Sequence, residues 1–137
     1  MHKKLILSLL IACFGFSPLS SSAKTEFEKF CSPPADLTSQ LTCSLAVNQS
    51  VTPMKAGIAM VFASIEMSGT YCNFNFSRKF LEQRIKIESD PEVARVVRYL
   101  IGQYKGRPPP GFNGDRKVFC KMQYETFGPR SKEYFFD

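Results

Sequence analysis

The chain has 137 residues, one histidine, five cysteines and a formal net charge of +6 at neutral pH. That histidine, His2, lies in an apolar leader, so the rest of the chain has no imidazole for a Ser-His-Asp or Cys-His nucleophile, a histidine acid/base pair or a histidine-containing zinc site. The positive balance is modest and no nucleic-acid-binding motif accompanies it, so nucleic acid is not an expected partner.

Met1 to Lys4 form a short basic start, Leu5 to Phe16 are apolar, and Ser20-Ser21-Ser22-Ala23 places small residues ahead of Lys24. This is the pattern of a secretory signal peptide over residues 1–23, cut before Lys24. The apolar stretch is shorter than the ~18 residues that a membrane-spanning helix requires. An alternative start lies at Leu10-Ile11-Ala12-Cys13, which resembles the lipobox of bacterial lipoproteins, where cleavage precedes a cysteine that is then acylated. Either start leaves Cys31, Cys43, Cys72 and Cys120 to form two disulfides in a single helical domain over residues 24–137. The thiols contain no C-x-x-C and have no histidines beside them, so no metal is expected, and no cofactor motif is present. Disulfides point to an oxidising compartment, and with the bacterial-looking signal the expected location is periplasmic or secreted.

Without Lys3 and Lys4 the net charge is +4, unevenly spread. Lys24 to Ser77 carries −1 (three cations against four acids), and Arg78 to Asp137 carries +5 (thirteen against eight).

Taken in order, the first element is a helix from about Asp36 to Asn48, following Ser32-Pro33-Pro34 and presenting Leu37, Leu41, Ser44 and Leu45 on one face. Thr52-Pro53 caps a second helix in which Met54, Ile58, Val61, Phe62 and Ile65 recur at helical spacing. No charge interrupts Ala56 to Ile65, which predicts the buried centre of a bundle. Cys72-Asn73-Phe74-Asn75-Phe76 alternates and predicts a short extended segment near residues 71–76. Ser77 then caps a helix carrying Phe80, Leu81 and Ile85. Ser89-Asp90-Pro91-Glu92 starts the next, with Val93, Val97, Leu100, Ile101 and Tyr104 as its buried stripe and Gly106 and Pro108 as its stop. A loop with Pro108-Pro109-Pro110 leads to a last helix from about Asp115 to Phe127, ended by Gly128-Pro129. The fold class expected is all-α: a small disulfide-stapled bundle of four or five short helices, with one short extended segment.

If the first two helices form an antiparallel hairpin turning near Ser50 to Thr52, residues whose numbers sum to about 102 face one another. That register pairs Cys31 with Cys72. Cys43 points away from the Leu37/Leu41/Leu45 face, which leaves Cys120 as its expected partner.

Four features are candidates for function. Arg95, Arg98 and Lys105 lie opposite the apolar stripe of their helix, with Arg107 close by, and form a candidate interaction surface for an acidic partner; an ordinary solvated face has the same appearance. Glu66, at the edge of the apolar helix near the angular position of Lys55, is a candidate general acid with Glu82 or Glu125 as second carboxylate, against a plain reading in which it reaches solvent. Arg107-Pro108-Pro109-Pro110-Gly111-Phe112 is a stiff segment for a partner or a rigid connector. The Tyr134-Phe135-Phe136 end docks into the domain's own core or onto another protein.

The make-up as a whole resembles several groups of bacterial envelope proteins, among them periplasmic immunity proteins, inhibitors and secretion-system accessory proteins. The likeness is one of architecture and carries no site residue. The function expected is that of a non-enzymatic binding protein of the envelope acting on a protein partner. A small carboxylate-dependent hydrolase of cell-wall glycan is the alternative. A lipid-anchored envelope component, in contact with membrane only if Cys13 is lipidated, is the third reading.

Overall fold

The computed structural model describes residues 27–105 and 114–137. The leader, the lipobox-like Cys13, Arg107 and the triple proline lie outside the described residues. A short helical segment over 27–31 precedes five helices: α1 (Leu37–Gln49), α2 (Pro53–Tyr71), α3 (Arg78–Glu88), α4 (Pro91–Gln103) and α5 (Arg116–Phe127). The expected all-α, disulfide-stapled bundle is what forms.

The helix starts follow local chemistry. Asp36, Thr52, Ser77, Asp90 and Asp115 each accept a hydrogen bond from a first-turn N–H, and Pro53 and Pro91 sit just inside their helices, where no donor is needed. After α2 the chain turns at Cys72 and Asn73 and runs extended, as the alternation predicts. Phe76 there forms an isolated antiparallel bridge with Phe136 of the tail.

Packing is built on small residues. Ala56, Ala59 and Ala63 of α2 are fully buried, and α4 makes its most extensive helix contact along α2, burying Val93, Ala94, Val96 and Val97. A face of alanines lets a neighbouring backbone come close, so this face, and not the larger Met54/Ile58/Val61 face, turns inward. The expected stripe of α2 is corrected accordingly: Phe62 and Ile65 are buried, but Met54, Ile58 and Val61 are 66%, 44% and 62% exposed. In α1 the same preference buries Thr42 and Ala46 while Leu37 and Leu41 face solvent. The Thr42 hydroxyl is satisfied by the Thr38 carbonyl at 2.8 Å. In α3 only Phe80 is buried; Leu81 and Ile85, expected beside it, are exposed.

Aromatic rings fill the other half of the core. Phe80 stacks between Phe62 (4.9 Å) and Phe76 (4.4 Å), and Phe136 packs against Phe74 (4.9 Å) and Phe76 (5.9 Å). Phe136 is fully buried, so the aromatic end of the chain docks into its own domain.

The disulfides join Cys31 to Cys43 and Cys72 to Cys120, which corrects the expected pairing of Cys31 with Cys72 and Cys43 with Cys120. The hairpin register itself holds where both helices exist: the Thr42 hydroxyl lies 3.5 Å from the Met60 sulfur. Cys31, however, is not on α1. Residues 32–36 break the helix, and the segment over 27–31 folds back so that Cys31 meets Cys43, a closure over only 12 residues.

Candidate functional site

The face of α2 that is not buried forms the floor of an open groove of about 960 Å³. Met54, Ile58 and Val61 lie along it, with Phe30 and Thr42 on one side and Phe80 and Ile87 of α3 among its other lining residues. A second hollow of about 480 Å³ continues it, sharing Val61, Ile65 and Phe127 and adding Phe119 and Gln123 of α5. Charge enters the larger hollow only as Lys79 and Glu133, which pair with each other at 3.6 Å.

The groove follows from composition. The ten-residue uncharged run from Ala56 to Ile65 gives α2 apolar side chains nearly all round its axis, and α1 and α4 leave its Met54/Ile58/Val61 side uncovered. The part left over is a contiguous apolar surface. Met54, Ile58 and Val61 were visible in the sequence as a stripe, but the signal that they lie outside was the run of small residues on the opposite face. Phe30 and Phe127 had no sequence signal for this site.

The basic surface is partly engaged in holding the fold together. Arg95 donates to the Gln49 carbonyl at 2.7 Å and to its side-chain oxygen at 3.0 Å, placing a cation at the C-terminal end of α1. Arg98 pairs with Glu88 at 3.5 Å, and Lys105 is exposed. Arg107 lies outside the described residues.

Each carboxylate considered for acid/base work is paired with a cation. Glu66 accepts from the Arg84 guanidinium, which also lies over the rings of Phe76 and Phe80. Glu82 pairs with Arg78 and Glu125 with Lys121. Lys55 turns to Asp90 (3.3 Å) and Glu92 (3.4 Å) and so clips α2 to the start of α4. The Asp90 side chain raises the Lys55 pKa, and the Val93 N–H lowers that of Asp90. Among the described residues no cluster of acids and cysteines is arranged to hold a metal ion, and no helix is long and apolar enough to cross a membrane.

Fold and site together define a class: a small disulfide-stapled helical bundle with an open apolar groove among its described residues. Comparison with protein-family models, curated proteins and solved structures finds no match to this chain.

Proposed function

We propose that this chain is an exported, non-enzymatic binding protein of the cell envelope, and that its groove takes an amphipathic helical segment of a protein partner. The observation that carries this reading is the open groove over Met54, Ile58 and Val61, on a helix whose other face is fully packed. From Met54 to Ile65 the floor is about 16 Å long at the ~1.5 Å rise of a helix, which suits three turns of a partner helix with anchors at i, i+4 and i+7. Methionine and phenylalanine linings adapt to such anchors. Because Lys79 and Glu133 satisfy each other, the larger hollow has little to attract an ionic ligand. Two disulfides support an oxidising compartment, and the leader supports export. The glycan-hydrolase reading has no comparable observation behind it.

The test places a photoreactive residue at Ile58 in the oxidised protein and maps what it captures from envelope extract. A crosslink into an apolar helical segment of one protein is expected. Val61→Glu should weaken that complex at least tenfold, whereas Glu66→Gln and Arg98→Glu should leave it within about threefold. Retention by Val61→Glu, or loss of a glycan-cleaving activity in a folded Glu66→Gln protein, overturns the reading.

A further inference from the structure

The last helix is held differently from the others. None of the twelve residues of α5 is fully buried, whereas α1 to α4 each bury at least one side chain. Its C-terminal end is seated in the core: Gly128 is buried, Phe127 stacks on Phe135 at 5.9 Å, and the Phe127 carbonyl accepts from the N–H groups of Phe135 and Phe136. Its N-terminal half is tied by the Cys72–Cys120 bridge. Around that bridge Arg116 donates to the Tyr71 carbonyl (2.6 Å) and lies over the Tyr71 ring (5.1 Å), and Phe119 meets that ring edge-on (5.9 Å). Phe119 and Gln123, on either side of Cys120, are the α5 residues that wall the continuation of the groove.

We propose that the Cys72–Cys120 disulfide is a redox latch: its reduction frees residues 116–123 from α2 and opens that end of the groove, while α1 to α4 stay folded. A twelve-residue helix is marginal by itself, so without the bridge its ordering has to be covered by contacts that bury none of its residues fully. The pivot is Phe127–Gly128, where the helix remains seated. Cys72 and Cys120 are half-buried, not sealed. A dithiol reductant supplies two electrons; the S–S bond breaks, each sulfur takes up one proton, and the dithiol closes to its own disulfide. Cys31–Cys43 ties a different segment and is no part of the latch. The consequence for binding rests on the groove reading, but the release of α5 does not.

Amide hydrogen exchange on the oxidised protein, on a Cys72→Ser/Cys120→Ser variant and on a Cys31→Ser/Cys43→Ser variant tests the latch. In the first variant, exchange over residues 116–123 should rise at least tenfold while Ala59–Ala63 and Val93–Val97 change less than threefold. The second variant should leave 116–123 as in the parent. Unchanged protection of 116–123 in the first variant, or equal loss across α2 and α4, overturns the latch. The oxidised protein and the first variant are titrated with the dye 1-anilinonaphthalene-8-sulfonate, whose affinity should change at least threefold between them; the second variant is the exchange control alone, because Cys31 adjoins Phe30 of the groove wall. Release of α5 with unchanged dye affinity overturns the gating of the groove. Absence of dye binding in every sample, with α5 released as expected, counts against the groove reading and not against the latch.

Discussion

Ser77 joins two parts of the chain that are far apart in sequence. Its buried hydroxyl accepts from the Phe80 N–H at the start of α3 and donates to the Tyr134 carbonyl at 2.6 Å, while its own N–H donates to the Phe135 carbonyl. Ser77→Ala removes a cap and a clamp together, and should cost about 2 kcal/mol, from ~1 for the cap and ~1 for the second hydrogen bond. Gly69 serves the same docking from the other side. A Cβ there would stand 2.8 Å from the Phe136 ring and closer still to Phe76, so Gly69→Ala should destabilise by roughly 1–3 kcal/mol through overpacking. Chemical denaturation of both variants checks these values. Loss of stability without loss of α2 or α4 helicity would locate the damage in the tail. Neither residue is legible as a packing position in the sequence. Ser77 is legible there as a helix cap, but its second partner lies 57 positions away, and no local pattern announces that.

At the scale of the element, caps and ion pairs set a pH dependence. Asp36 and Asp90 are held below their ordinary pKa values, Asp36 chiefly by the Ser39 N–H and Asp90 chiefly by the Val93 N–H. A carboxyl depressed in the folded state stabilises above its unfolded pKa of about 3.9, and that contribution is lost as pH falls through the folded value. Lys55 has the opposite sign. Its raised pKa stabilises at neutral pH, and the contribution is lost only as pH rises through the folded value, above about 10.5. The denaturant midpoint should therefore be flat from about pH 5 to 9 as far as these groups are concerned, and fall on both sides. Asp90→Asn keeps a capping acceptor but removes the charge facing Lys55, so it should flatten part of both limbs. A variant with the parent's full acid and alkaline dependence would show that this clip does not contribute. Helix starts were legible because each depends on a few neighbouring residues. Helix faces were less so: Leu37 and Leu41 match helical periodicity as well as any buried pair, and are displaced by Thr42 and Ala46, Thr42 lying where α1 closes on Gly57 and Met60 of α2.

At the scale of the molecule, the two bridges constrain unequal loops, 12 and 48 residues apart in sequence. Chain entropy assigns about 3 kcal/mol to the first and about 4 kcal/mol to the second, each a large share of a small domain's stability. Peptide mapping without reduction should recover Cys31 linked to Cys43 and Cys72 linked to Cys120; a Cys43 to Cys120 peptide would contradict the fold. The proposed export predicts an intact mass corresponding to a chain beginning at Lys24 with no acyl group, and a mass fitting acylated Cys13 would favour the lipid-anchored reading. The sequence by itself determined the helical class, the five helix starts and the even set of four cysteines from Cys31 onward, because capping, periodicity and parity are local or countable. Tertiary structure alone decided which cysteines pair, which side of α2 is packed and where the groove opens. Each of these depends on how closely two backbones approach, and that distance is set by side chains on both partners at once.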